Sequence, residues 1–176
     1  IHSFGSAFGF GLEAGSKPEL LAVLGLTSGL NSVPIVCNGF KDSEFIETVV
    51  LAAKLGRKII PIVEKYSELE LLVHHAERYD VRPAIGVRVK LSARATGRWE
   101  DSSGLRSKFG LYVSEILDAL EYLKKKDMAD CLQLLRCHLG SQVSDIRSVK
   151  NAITEMTHIY IGLQQLGAGM KYIDIG

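Results

Sequence analysis

Short apolar runs alternate with longer amphipathic stretches along this 176-residue chain, and this alternation is the feature that most constrains its fold. Several of the short runs are nearly continuous in Val, Ile and Leu, as strands buried on both faces are. Regular repetition of strand and helix predicts a parallel sheet with right-handed crossovers. The predicted strands are residues 10–14, 33–37, 58–63, 83–89, 132–137 and 171–175.

Capping signals mark the ends of the predicted helices. Ser16 and Ser67 each open the pattern of a capping box, and Gly56 and Gly167 stand where helix C-caps would be. Three apolar faces with helical spacing are predicted to point inward. They are Leu69, Leu72, Val73, Ala76 and Tyr79; Ile116, Leu117, Leu120 and Leu123; and Val149, Ile153, Met156, Tyr160 and Leu163.

The spacing of the strands favours a βα-barrel. The first predicted strands recur about every 24 residues, which suits a (β/α)8 barrel. A doubly wound open sheet has the same alternation and is the competing architecture. Residues 93–108 are polar and rich in Gly and Ser, which predicts a long loop after the fourth strand.

Composition argues against several function classes. A net charge of +1, with no basic patch interleaved with aromatic residues, argues against a nucleic-acid partner. No apolar run reaches the roughly 18 residues that a membrane span needs. The three cysteines, Cys37, Cys131 and Cys137, lack metal-type spacing and favour buried thiols in a reducing, cytoplasmic compartment.

Polar and ionisable residues close each predicted strand. In a barrel the carboxyl ends of the strands form one rim, where the βα-loops build the active site. Taken singly, each residue could be a cap or a turn residue, and a histidine there could belong to the core. Six such residues at one edge of the sheet favour a functional site. They are Glu13, Asn38, Glu64, Arg88, His138 and Asp174.

Arg88 is the most informative of these residues because it lies inside an apolar strand. A buried guanidinium must have a partner, which predicts either an anionic ligand or a carboxylate such as Glu13. His74 and His75 fall on a predicted helix and are expected at the surface.

Six motifs, in order, resemble those of the biosynthetic arginine decarboxylase family. Each motif is weak, but the ordered set is specific and covers essentially the whole chain. The motifs are GLEAGSK (11–17), VCNGFKD (36–42), SKFGL (107–111), LQLL (132–135), HLGSQ (138–142) and IDIG (173–176). The wider relatives are pyridoxal-phosphate (PLP) decarboxylases and racemases with an alanine racemase-like barrel, including ornithine and diaminopimelate decarboxylases.

The resemblance implies a fold, a cofactor and four residue roles. Residues 1–176 would form a PLP-binding barrel domain that is incomplete at both ends, with about six of the eight strands of a (β/α)8 barrel. His138 would stack on the pyridine ring, Arg88 would lie near the ring and its phenolic oxygen, Ser141 near the phosphate and Glu13 near the Schiff base. Imidazole stacking and hydroxyl–phosphate contacts suit such a group chemically.

The resemblance also implies that part of the catalytic machinery lies elsewhere. The family's Schiff-base lysine lies upstream of the Glu13 motif and is absent from this chain, while Lys17, Lys41 and Lys90 occupy non-catalytic motif positions. Six strands would leave two unpaired apolar edges. We therefore expect the isolated chain to be poorly soluble or associated, and without decarboxylase activity.

For the full-length parent, the resemblance implies conversion of L-arginine to agmatine and carbon dioxide in polyamine (spermidine) biosynthesis. It also implies a homo-oligomer, with Mg²⁺ as a possible second cofactor. Three alternatives stay open: a PLP decarboxylase of the diaminopimelate or ornithine type, a non-catalytic PLP-binding homologue, and an unrelated phosphate-binding barrel.

Overall fold

The computed structural model describes residues 2–92, 107–140, 143 and 145–176, and it confirms the predicted alternation. Each strand lies inside its predicted apolar run. The strands are β1 (Leu12–Ala14), β2 (Ile35–Cys37), β3 (Ile59–Val63), β4 (Ile85–Arg88), β5 (Leu132–Arg136) and β6 (Tyr172–Asp174). The α-helices are α1 (His2–Gly5), α2 (Lys17–Leu26), α3 (Ser43–Lys54), α4 (Tyr66–Tyr79), α5 (Val113–Lys125) and α6 (Ile146–Gln165). No helix among these residues combines the length and apolarity that crossing a membrane requires.

The chain divides into two compact units, and the first comprises Ile1–Val63 and Ser67–Ile85. Its strands β1, β2 and β3 pair in parallel in chain order. Side chains alternate between the two faces of a strand. On one face Ala14, Ile35 and Cys37 join a buried cluster with residues of α2 and α3, so Glu13 and Val36 lie on the other face.

The second unit comprises Glu64–Tyr66 and Gly86–Gly176. Its strands β5 and β6 are parallel, with Arg136 opposite Asp174. The Val89 N–H donates to the Arg136 carbonyl at 2.8 Å, which joins the end of β4 to β5. A short stretch around Leu111 adds a parallel bridge to Val89. The carboxyl ends of these strands are therefore held by backbone hydrogen bonds.

Most of the predicted helix ends are confirmed. The Ser16 hydroxyl accepts from the Glu19 N–H at 3.4 Å, and Gly56 and Gly167 follow α3 and α6 with φ of +80° and +96°. The Ser67 cap is wrong, because α4 begins at Tyr66 and Ser67 lies in its first turn.

The predicted apolar faces are right for α4 in four of the five positions, with Tyr79 only half-buried, and are partly wrong for α5 and α6. In α5 Leu117 is 38% exposed and Ala119 is buried instead. In α6 Ile153 is 40% exposed, whereas Ala152 is fully buried. Adjacent stripes of these helices both carry apolar residues, so periodicity does not decide which stripe faces the core.

The surface position predicted for His75 is also wrong. His75 is buried, with Nε2 3.0 Å from the Ser43 hydroxyl, whereas His74 is exposed as expected. Burial lowers the pKa of His75 below its usual 6.5, the nearby Glu47 partly opposes this, and the charges of His74 and Arg78 add to the lowering. Helix α4 therefore directs the His75 ring towards the interior and the His74 ring towards solvent.

This environment predicts a pH-dependent stability. A histidine whose folded pKa is depressed contributes its full stability above the unfolded pKa, about 6.5, and that stability falls as the pH drops further. We expect urea unfolding between pH 7.5 and 5.5 to show a smaller loss of stability in His75→Gln than in the wild type. The matched variant His158→Gln, which removes an exposed histidine of α6, should behave like the wild type, and equal pH profiles for the two variants would contradict the assignment.

All three cysteines are free and buried, which confirms the prediction of buried thiols. Burial raises the pKa of Cys37 to about 12 and that of Cys137 to about 11. Both thiols are therefore protonated near neutral pH and are poor nucleophiles.

Candidate functional site

An ion pair occupies the carboxyl end of β4 in the second unit. Arg88 is the last residue of the strand, and its Nη1 lies 3.4 Å from Oε1 of Glu64. The two side chains are only 12% and 3% exposed. A carboxylate partner of the predicted kind is thus present, and it is Glu64. A pair so far removed from water keeps both charges only in a well-defined geometry.

A glycine turn holds the backbone around this pair. The Gly110 N–H donates to the Glu64 carbonyl at 3.0 Å, and the Leu111 N–H donates to the Arg88 carbonyl at 2.8 Å. Gly110 has φ of +96°, and a Cβ there would lie 3.2 Å from the Arg88 carbonyl oxygen. Both the left-handed backbone and the tight space favour glycine in this motif.

His138 and Arg88 line the same narrow cavity. His138 follows β5 by two residues and is half-buried. The other lining residues are Val89, Lys90, Leu91, Ser107, Phe109, Cys137 and Leu139. An imidazole and a guanidinium that sequence analysis selected separately are therefore brought to one place.

Gly176 approaches His138 closely. It has φ of +87°, and a Cβ at this position would lie 2.9 Å from the Cys137 carbonyl oxygen and 3.1 Å from His138 Nδ1. A larger residue at position 176 would press on the imidazole or on the backbone that carries it. Glycine at this point therefore allows the two backbone segments to approach each other closely.

A second buried ion pair, which sequence analysis missed in part, lies next to these residues. Arg136 is 8% exposed and donates to the carboxylate of Asp174 on β6. Asp174 was expected at the rim, but Arg136 was overlooked inside an apolar strand. The reasoning that selected Arg88, a charge within an apolar strand, would also have found Arg136.

The remaining candidate residues lie in the first unit or outside the described residues. Glu13 lies in the first unit, where it is exposed and accepts a hydrogen bond from the Asn38 amide. The other atom of that amide, Oδ1 of Asn38, is buried without a hydrogen-bond partner among the described residues. Ser141 lies outside the described residues, as does most of the predicted loop 93–108.

The lysines that sequence analysis set aside all have structural contacts. Lys41 is buried, with Nζ 3.4 Å from the Glu68 carboxylate and 2.5 Å from the Gly39 carbonyl oxygen. Lys17 pairs with Glu44 near the surface. The ammonium of Lys90 lies 4.4 Å from the centroid of the Tyr112 ring, a cation–π contact.

The charged and aromatic side chains around this cavity are of the kinds that bind a flat, anionic, aromatic ligand. Arg88 can donate to an anionic oxygen, while His138 offers an aromatic ring. Within the described ranges, no group of three or more His, Cys, Asp or Glu side chains could hold an ion.

Comparison with known proteins gives a consistent match along the chain. The model of the family "Pyridoxal-dependent decarboxylase, pyridoxal binding domain" matches residues 3–176. The biosynthetic arginine decarboxylase of Rhodopirellula baltica is 55% identical over 176 residues, covering 100% of this chain and 26% of the relative. That of Phocaeicola vulgatus is 49% identical, covering 100% of this chain and 28% of the relative. The chain thus spans about a quarter of the length of these relatives.

Solved structures agree with this match. The crystal structure of the biosynthetic arginine decarboxylase from Campylobacter jejuni aligns with a TM-score of 0.85 at 35% identity, covering 97% of this chain and 27% of that one. A diaminopimelate decarboxylase from Helicobacter pylori, at 22% identity and a TM-score of 0.81 over 97% of this chain and 42% of that one, shares the fold. The prediction of a partial (β/α)8 barrel of the alanine racemase-like type is confirmed, and the doubly wound alternative is wrong.

Proposed function

The chain belongs to the pyridoxal-binding-domain family of the pyridoxal-dependent decarboxylases, and from this membership we propose that its protein decarboxylates L-arginine to agmatine. The observation that carries the proposal is the 55% identity to a biosynthetic arginine decarboxylase along all 176 residues. The cationic and aromatic side chains of Arg88 and His138, which line one cavity, add chemical support for a pyridoxal-type ligand.

We propose that this cavity holds the ring of PLP. His138 would pack against one face of the ring, and Arg88 would donate to its phenolic oxygen. Ser141 would lie near the phosphate. When bound, PLP supplies the electron sink that stabilises the carbanion left by departing carbon dioxide.

Arg88 and Glu64 would act as a unit in this site. The guanidinium stays protonated, so it favours the anionic form of a facing phenolic oxygen. Glu64 lies 3.4 Å from the guanidinium, is almost completely buried and holds the Arg88 side chain in place. The Arg88 side chain would therefore lose less conformational freedom when the cofactor binds. We place Glu13 near the reacting end of the cofactor by family resemblance, and Asn38 would orient its carboxylate.

We also propose that the lysine that binds PLP covalently is none of the lysines set aside above. Lys41 supports this most directly, since its ammonium is buried against Glu68. A protonated, paired amine is a poor nucleophile towards an aldehyde.

The test uses the protein expressed from its complete reading frame and saturated with PLP. We expect carbon dioxide and agmatine from L-arginine, and much slower release from ornithine, lysine or diaminopimelate. If one of these amino acids were decarboxylated faster than L-arginine, it would be the substrate and the assignment of L-arginine would be wrong. PLP binding without carbon dioxide release from any of them would favour the non-catalytic homologue.

His138→Ala provides the matching test of the site. We expect the Kd for PLP to rise about tenfold, as loss of one stacking partner implies. His158→Ala, which removes an exposed histidine from α6, is the matched control and should leave the Kd unchanged. Equal affinities for both variants would remove His138 from the site.

Several properties of the whole protein stay predictions. These are assembly of residues 1–176 into one barrel domain, a homo-oligomer, a cytoplasmic location, a role in spermidine biosynthesis and a requirement for Mg²⁺. The first is supported by the family match over residues 3–176. The cytoplasmic location depends on the cysteine pattern, and the others depend on the family resemblance.

A further inference from the structure

Asp174 uses both oxygens of its carboxylate within the second unit. Oδ2 accepts from the buried guanidinium of Arg136 on the neighbouring strand. Oδ1 accepts from the backbone N–H of Gly176 at 2.9 Å. One side chain therefore links the interior of the sheet to the turn that follows β6.

The turn held in this way lies against His138. The Asp174 carbonyl also accepts from the Cys137 N–H at 2.9 Å, so the backbones of residues 174–176 and 137–138 run side by side. A single added carbon on Gly176 would lie 3.1 Å from His138 Nδ1. The position of Gly176 thus limits where the imidazole can lie.

The charges strengthen this arrangement. Arg136 is 9% and Asp174 23% exposed at the side chain, so solvent screens the pair only weakly. Moving Arg136 away from Asp174 would break a charge-assisted hydrogen bond between two side chains that are largely shielded from water. The ion pair therefore restricts the carboxylate, and the carboxylate restricts the turn.

We infer that Asp174, anchored by Arg136, is a positioning residue that fixes Gly176 against His138 and so sets the place of the imidazole. The expected consequence, tight binding of PLP, rests on the proposed function. The positioning of His138 by Asp174 applies to the apo protein as well, because the chain itself makes every contact involved.

Asp174→Asn isolates the effect. An amide has one acceptor oxygen where a carboxylate has two, so the variant can keep the bond to Gly176 or the bond to Arg136, but not both. Ile173→Ala is the matched control, since it weakens the same strand at a residue that is 44% exposed and makes none of these contacts. Arg136→Gln is a second variant, which keeps the Asp174–Gly176 bond and removes the cation.

The measurement is the rate at which diethyl pyrocarbonate modifies each histidine of the apo protein from the complete reading frame, resolved by peptide mass spectrometry. In Asp174→Asn we expect the rate at His138 to rise about tenfold, the effect of losing one charge-assisted hydrogen bond. The exposed His74 and the buried His75 should keep their wild-type rates. Arg136→Gln should give a smaller rise at His138, and Ile173→Ala none.

PLP affinity gives the second readout. The Kd of Asp174→Asn should rise about tenfold, with a changed visible circular dichroism band of the bound cofactor, while Ile173→Ala keeps the wild-type values.

A wild-type rate at His138 in Asp174→Asn overturns the inference, and so does a parallel rise at His75, which would mean general loosening. If Asp174→Asn does not fold, an unchanged rate at His138 in Arg136→Gln overturns it equally. Failure of the wild type to bind PLP would reject the proposed function, while the histidine rates would still decide the role of Asp174.

Discussion

Replacing Lys41 by Met is expected to lower the local free energy of unfolding by about 3–5 kcal/mol, because it removes the ammonium from a buried carboxylate. The side chains of Lys41 and Glu68 are only 1% and 3% exposed. The Glu68 carboxylate also accepts from the Lys41 N–H at 3.1 Å, which methionine leaves in place. The measurement is hydrogen–deuterium exchange of the slowest amides of α3 and α4 in the protein from its complete reading frame.

Two further variants make this result specific. Lys41→Met combined with Glu68→Gln removes both buried charges and keeps an acceptor for the backbone N–H, so most of the lost stability should return. Lys17→Met is the matched control, since its partner Glu44 is 75% exposed at the side chain. It should change stability by less than about 0.5 kcal/mol. Equal losses for Lys41→Met and Lys17→Met would show that the buried pair carries no special weight.

Replacing Arg88 by Met is expected to raise the Kd for PLP by about 30-fold or more, as loss of one partner from a buried charge pair implies. The substitution removes the guanidinium that faces Glu64 and, on the proposed function, the donor to the phenolic oxygen. A fluorescence titration of apo protein with PLP measures the effect.

The double variant Arg88→Met with Glu64→Gln separates binding from stability. Neutralising Glu64 removes the buried carboxylate, which should restore much of the thermal stability lost in Arg88→Met. The Kd should stay high, because no cation returns to the cavity. Recovery of affinity together with stability would mean that Arg88 acts on the fold and not on the cofactor.

Prediction from sequence succeeded where the signal is local. The Ser16 cap and the left-handed glycines Gly56 and Gly167 depend on neighbours a few residues away, and each is confirmed. His74 and His75 show the limit. They are adjacent on one helix, and only the packing of α4 against its surroundings decides that His75 turns inward.

The candidate site shows the same division. Sequence patterns selected Arg88 and His138 as polar residues at strand ends, and both line one cavity. The sequence left the partner of Arg88 open between an anionic ligand and a carboxylate such as Glu13, because Glu13 and Glu64 follow the strand pattern equally well; the structure pairs Arg88 with Glu64. Whether either residue binds PLP stays a prediction.

The sequence by itself determined the order of strands and helices, the residues that can carry chemistry and the family, because periodicity, capping and ordered motifs are properties of the linear chain. Only the tertiary structure decided which charges meet. Arg88 and Glu64 are 24 residues apart and Arg136 and Asp174 are 38 apart, so their pairing depends on strand register and on neighbouring elements. A buried charge takes the partner that the packed backbone brings within reach, and no pattern of nearby residues contains that distance.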